Sequence, residues 1–179
     1  AEDAPQFQVD PFWPKPLPDH WILHGLQQDQ LFAQMHGAYV GRVVELLKGA
    51  GVHTALEVGC GDGWNCSRLA EAGIQAVGID WSRNAIAYAS VLVPGARFFC
   101  GDIRDPAFAA ACPEPFDAGL MIEVIEHIPP RDCVAALSNV ARLIKPGGRL
   151  VLTTPSTNFP NKNNQHYRHF DETMLRQLI

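Results

Sequence analysis

The sequence predicts an α/β fold: a doubly wound, mostly parallel sheet with helices on both faces, missing its C-terminal strands. Three observations carry this. From Thr54 to Thr154, strand-length apolar runs alternate with segments of helical period. A glycine-rich turn, Gly59-Cys60-Gly61-Asp62-Gly63, separates the first strand from the first helix of that series, and the second strand ends on a carboxylate, Asp80. Strict alternation of strand and helix is what a parallel sheet with right-handed crossovers requires.

Each element follows in order. Residues 1–19 carry Pro5, Pro11, Pro14, Pro16 and Pro18, which fix φ and remove donors, so this part reads as an extended arm. Over 20–52, apolar residues recur at helical spacing through Leu26, Leu31, Met35, Val40, Val44 and Leu47 and stop at Lys48-Gly49; one or two helices are expected, placed to lid a site. The core is expected over 53–179. Its strands are Ala55–Val58, Ala76–Ile79, Arg97–Cys100, Phe116–Ile122 and Arg149–Thr154, and its helices run from Trp64 to Ala72, from a Ser82 cap through Ser90, and from Arg131 to Ile144. Lys145-Pro146-Gly147-Gly148 is read as the stop of that last helix. Asp171 opens one more amphipathic helix, after which no strand is expected.

The bulk properties narrow the function classes. A chain of 179 residues with 47% hydrophobic and 18% charged residues has the balance of one folded domain rather than a disordered segment. Its longest apolar runs are strand-length, and the start lacks the basic and apolar regions of a secretory leader, so neither a membrane span nor export is expected and the cytoplasm is the default compartment. Cys60, Cys66, Cys100, Cys112 and Cys133 form no CxxC pair and read as free thiols. A formal net charge of -5, with Lys and Arg scattered, argues against a nucleic-acid partner and for a small-molecule one.

The glycine turn allows backbone to approach a ligand closely. A dinucleotide pattern G-x-G-x-x-G begun at Gly59 needs glycine at position 64, where Trp64 stands, which argues against a nicotinamide-dependent oxidoreductase. Asp80, at the carboxyl end of the second strand, is placed to accept from both ribose hydroxyls, and Trp81 offers an aromatic face to a base. The run Glu57-x-Gly59-x-Gly61-x-Gly63, followed by Val77-Gly78-Ile79-Asp80, Gly101-Asp102-Ile103, Phe116-Asp117 with Ile122-Glu123, and Leu143–Leu150, resembles the motifs of class I S-adenosylmethionine-dependent methyltransferases in order and spacing. That resemblance covers roughly Thr54 to Pro155. It implies S-adenosyl-L-methionine as cofactor, with S-adenosyl-L-homocysteine as product. It also implies a cofactor site of Glu57, Gly59, Cys60, Gly61, Gly63, Asp80, Trp81, Asp102, Ile103 and Glu123, in which Asp102 accepts from the adenine amine and Glu57 serves the loop and the cofactor's amino group.

The reaction centre is expected after the fourth strand, at Glu123-Val124-Ile125-Glu126-His127. If this segment turns helically, Glu123, Glu126 and His127 share one face, where they can act as base or hold a divalent cation. The Glu-x-x-Glu-His run is similar to the matching segment of ubiquinone-biosynthesis O-methyltransferases and of small-RNA 2′-O-methyltransferases. The latter resemblance implies a metal on Glu123, Glu126, His127 and a downstream histidine, His169 or His166. The leading expectation is methyl transfer to an oxygen or nitrogen of a small molecule; an RNA 2′-hydroxyl with a divalent metal is the runner-up, and a non-catalytic cofactor-binding module the alternative of another class. An unpaired sheet edge further predicts a homodimer.

Overall fold

The computed structural model describes residues 18, 20–21, 30–107, 112, 115–163 and 165–179. The proline arm expected over 1–19 lies almost wholly outside the described residues, as does Leu26. The elements are α1 (Gln30–Gly49), β1 (Thr54–Val58), α2 (Trp64–Glu71), β2 (Gln75–Asp80), α3 (Arg83–Leu92), β3 (Arg97–Cys100), β4 (Phe116–Ile122), a single 3-10 turn (Ile125–His127), α4 (Cys133–Arg142), β5 (Ile144–Thr153) and α5 (Glu172–Arg176). All strand pairs are parallel, in the order β3-β2-β1-β4-β5. Among the described residues no sheet strand follows β5.

Side-chain alternation along the strands builds two cores. Leu56 and Val58 of β1, Val77 and Ile79 of β2 and Met121 of β4 face one layer, where Cys133, Ala136, Leu137 and Val140 of α4 pack on them. Ala55, Ala76, Ala118 and Leu120 face the other, under Val43 and Leu47 of α1 and Leu69 of α2. A strand buried on both faces reads as an unbroken apolar run, which is why period-2 alternation is faint in this sequence. The α4 burial pattern at positions 133, 136, 137 and 140 is the apolar stripe of a helix with one buried face. Ser82 caps α3 by accepting from the Ala85 N–H at 3.1 Å, and Asp171 caps α5 by accepting from the Met174 N–H at 2.8 Å, both as expected.

The Lys145–Gly148 segment differs from expectation. It lies within β5 as a bulge rather than ending a helix: Phe116 pairs with Ile144, yet two residues on, Ala118 pairs with Arg149. Gly147 takes a φ of 79°, and Lys145 Nζ donates to Asp117 Oδ1 at 2.7 Å. Asp117 also accepts from the His53 and Thr54 N–H groups, so one carboxylate ties the bulge to the start of β1; these donors hold it well below the usual carboxylate range, Lys145 first among them. Helix α4 therefore stops at Arg142, two residues short of the expected end.

The strand order places the topological switch between β1 and β4. At their carboxyl ends, successive connections leave for opposite faces and a crevice opens. No helix among the described residues is long and apolar enough to cross a membrane, and all five cysteines are free thiols.

Candidate functional site

A cavity of about 700 Å³ fills that crevice, a size that suits a small ligand. Its walls are the segments that follow β1, β2, β3 and β4, roofed by residues of α1 and by His20.

The turn after β1 is shaped by glycine. Gly59 has a φ of 72°, and a Cβ there would stand 2.4 Å from Val124 Cγ2, so the first loop and the loop after β4 meet only because this residue lacks a side chain. Gly63, with a φ of 81°, begins α2 and packs against Ala89, Phe98 and Val93; it shapes the loop from behind rather than lining the cavity. Gly59 and Cys60 donate their N–H groups to the Ile79 carbonyl, and burial pushes the Cys60 thiol well up.

Asp80, the last residue of β2, lies on the cavity wall. Its Oδ2 accepts from the Gly61 N–H at 2.9 Å and its Oδ1 from the Ser82 N–H at 2.8 Å, so two backbone donors orient the carboxylate at the cavity wall. Trp81 beside it is 41% exposed, with the Arg104 guanidinium 5.6 Å from its ring centroid. Asp102 lines the same wall, but both of its oxygens accept from Arg104, whose side chain lowers the Asp102 pKa. Ile103 is buried between them and α4, where its carbonyl accepts from Asn139.

Glu57 lies behind the loop, 1% exposed, with Oε1 accepting from Asn65 Nδ2 at 2.6 Å and Oε2 from the Cys66 thiol at 3.0 Å. Burial raises its pKa to about 7, against the lowering pull of Cys66 and Asn65. It does not border the cavity; Asn65 does.

The segment after β4 departs from the expected helical face. Only Ile125–His127 turns, as 3-10 helix, and Glu123 takes a φ of 55°, so Glu123, Glu126 and His127 project from different backbone geometries. Glu123 accepts from Thr153 Oγ1 at 2.9 Å, and its pKa is raised by desolvation. Glu126 has no solvent exposure; Oε2 accepts from Thr154 Oγ1 at 3.0 Å, Oε1 has no hydrogen-bond partner among the described residues, and burial raises the carboxyl to about 7.

His127 Nδ1 lies 3.2 Å from the Gln165 carbonyl, which can only accept, so the neutral ring carries its proton on Nδ1 and leaves Nε2 as a lone pair. Desolvation lowers the His127 pKa and keeps that form. The same reasoning orders the neighbours. His169 Nδ1 donates to the Phe159 carbonyl at 3.0 Å, His166 Nδ1 to His169 Nε2 at 3.2 Å, and Asn163 Nδ2 to His166 Nε2 at 2.8 Å. One ligand atom each from Glu126, His127 and His166 lie within 4.8 Å of one another. The structure thus gathers Glu126 and His127 with His166, while Glu123 is turned to Thr153 and His169 supports His166 from behind.

The roof comes from the segment expected to lid the site, but its anchor carried no signal in the sequence. His20 donates its backbone N–H to Asp62 Oδ2 at 2.8 Å and sets its ring nitrogen 3.1 Å from Oδ1, while Trp21 Nε1 donates to the Asp62 carbonyl. His36, 4% exposed, has its ring centroid 5.3 Å from that of His20 and 4.9 Å from that of Trp64, and Tyr39 meets His36 edge-on. His36 and Tyr39 are three residues apart on α1, a helical spacing visible in the sequence; nothing there marks Asp62 as the anchor of His20 and Trp21. Arg104 had no signal at all.

The sequence matches the family model described as methyltransferase domain over residues 55–148. It is 32% identical over 105 residues to a ubiquinone biosynthesis O-methyltransferase of Stutzerimonas stutzeri, covering 58% of this chain and 44% of that one. The chain spans about half the length of the curated relatives it matches. Among solved structures it resembles magnesium protoporphyrin IX methyltransferase from Synechocystis PCC 6803, with a TM-score of 0.69 at 23% identity over 93% of this chain and 80% of that one. It also resembles the N-methyltransferase NodS from Bradyrhizobium japonicum, with a TM-score of 0.62 at 24% identity over 76% and 67%. With the parallel sheet, the glycine turn and the oriented carboxylate of β2 already in place, the chain belongs to the class I S-adenosylmethionine-dependent methyltransferase family.

Proposed function

We propose that the protein transfers the methyl group of S-adenosylmethionine to an oxygen or nitrogen of a small molecule. The carrying observation is Asp80, a carboxylate pre-aimed by two backbone donors at the wall of the cavity beside an aromatic face. Such a group suits a vicinal diol, and Trp81, Ile103 and the glycine turn suit the rest of an adenosine. The bound cofactor supplies a sulfonium methyl that leaves by in-line displacement, so the residues of this chain orient the partners and take up a proton. His127 is the base: Gln165 fixes its tautomer, its Nε2 keeps a lone pair, and its lowered pKa holds it unprotonated near neutral pH. Glu126 stands beside it. His20, Trp64, His36 and Tyr39 form a lid, latched at Asp62, that excludes water.

A metal-assisted version draws support from the Glu126, His127 and His166 grouping and the partnerless Glu126 oxygen. There a divalent cation would be held by those three, His166 giving up its Asn163 bond, and an RNA hydroxyl would be an acceptor for the same chemistry. The relatives named for ubiquinone biosynthesis favour a small-molecule hydroxyl. Five free thiols fit a reducing, cytoplasmic compartment, and the outer edge of β5, unpaired among the described residues, suits a second copy of the chain.

Calorimetric titration with S-adenosylhomocysteine and NADH, followed by an acceptor screen with labelled cofactor with and without a chelator, tests this. Binding of S-adenosylhomocysteine alone, lost at least tenfold in Asp80→Ala, is expected; NADH binding with none for S-adenosylhomocysteine overturns it. Turnover that survives the chelator but not His127→Ala assigns the base without the metal.

A further inference from the structure

Within the cofactor reading proposed above, the group that receives the cofactor's ammonium is open to assignment, and the acidic residue of the first loop is the obvious choice. The geometry does not favour it. Both Glu57 oxygens are already occupied, by Asn65 Nδ2 at 2.6 Å and by the Cys66 thiol at 3.0 Å, and Glu57 does not border the cavity. Asn65 does border it, one residue into α2.

The ionised form of Glu57 sets the Asn65 amide. A carboxylate offers only lone pairs, so the amide group 2.6 Å from it must be the NH₂, and the planar amide then directs Oδ1 away from Glu57. That oxygen is buried and has no hydrogen-bond partner among the described residues. A buried carbonyl without a donor is costly and marks a place where a donor arrives. The loops after β2 and β3 hold the residues suited to adenosine, so the cofactor's amino-acid tail runs toward the β1 side, where Asn65 stands beside Trp64.

We propose that Asn65 Oδ1 is the side-chain acceptor for the cofactor's ammonium group, and that Glu57 is a positioning residue that acts only through the Asn65 amide. Glu57 fixes which way the amide faces and, when ionised, polarises its carbonyl toward a cation.

The test compares two ligands on the full chain by titration calorimetry: S-adenosylhomocysteine, which carries the ammonium tail, and methylthioadenosine, which lacks it. Asn65→Leu is expected to weaken S-adenosylhomocysteine about tenfold or more, as loss of a charge-assisted hydrogen bond does, and to leave methylthioadenosine within about twofold. Asn65→Ser, too short to reach both groups, carries the same expectation should the leucine variant fail to fold. Glu57→Gln can still accept from Asn65 Nδ2 but loses the charge that polarises the amide, so S-adenosylhomocysteine weakens by no more than about threefold and methylthioadenosine stays within about twofold of wild type. Equal weakening of both ligands in the Asn65 variants reduces Asn65 to a structural role and overturns the proposal, as does an unchanged S-adenosylhomocysteine affinity. A tenfold loss in Glu57→Gln confined to S-adenosylhomocysteine overturns it in favour of Glu57. Wild-type protein that binds neither ligand overturns the cofactor reading itself.

Discussion

Glu126 is fully buried, its carboxyl pushed from 4.5 to about 7 first by loss of water, with the Glu123 charge adding to the rise. The folded state therefore holds a proton that the unfolded chain releases above pH 4.5. Its contribution to stability is complete below that value and is lost as the pH rises through about 7. Glu126→Gln carries the neutral hydrogen-bonding pattern at every pH. Thermal melts at pH 5 and pH 8 should show wild type losing on the order of 2 kcal/mol more than this variant across that interval; parallel pH profiles for the two proteins would sink the argument. Legibility at this scale was uneven. The place of Asp80 at the cavity wall could be read because it ends the second strand, where an α/β crevice opens. The proposed role of Asn65 could not, since it exists only once Glu57 lies 2.6 Å away and turns its amide. The functional orientation of an amide or imidazole is set by partners distant in sequence, as with His127 and Gln165, 38 positions apart.

Strands and helices were easier to read than the joints between them. β3 and β4 occupy the expected positions, whereas the turn after β4 and the bulge in β5 do not, because both depend on pairing across strands. Pro146-Gly147-Gly148 looks like a helix stop, and it does follow one, but the lysine ahead of it is drawn to Asp117 and the segment joins the sheet as an outward loop. The turn after β4 is likewise set by the loop it meets. Gly59→Ala combines a left-handed φ with a Cβ 2.4 Å from Val124, so it should cost roughly 1–2 kcal/mol for the backbone alone, and more for the clash. Adding Val124→Ala should return the clash part and leave the backbone part. Denaturant unfolding of the single and double variants measures this; a double variant no more stable than Gly59→Ala would show that the two loops are not in steric register.

The whole molecule places every site segment at the carboxyl ends of one parallel sheet. A ligand spanning the cavity bridges four segments contributed from residues 58 to 128 and the stretch holding Asn163, Gln165 and His166, together with His20 and α1. Binding should accordingly stabilise the domain as a unit. At about one hundred times its dissociation constant, S-adenosylhomocysteine should add about 2.7 kcal/mol, seen as a single melting transition moved up by roughly 5–10 °C. A split transition, with only one part moving, would mean that the roof and the sheet unfold independently. The fold class was evident from strand and helix alternation and the 20–52 segment was expected as a lid, but its latch was not legible: His20 and Asp62 are 42 positions apart and join two segments that carry no shared motif.

Strand order also governs how the chain is made. β1 lies between β2 and β4. On a growing polypeptide its β2 side can pair once Asp80 has emerged, but its other edge waits until Phe116–Ile122 has been synthesised. Through that interval the nascent chain presents the open backbone of a strand flanked by Leu56 and Val58, the pairing surface most prone to capture by another chain. The central position that gives β1 its glycine turn and its place in the site also leaves its second edge unpaired over the longest stretch of synthesis among the described strands that pair on both sides.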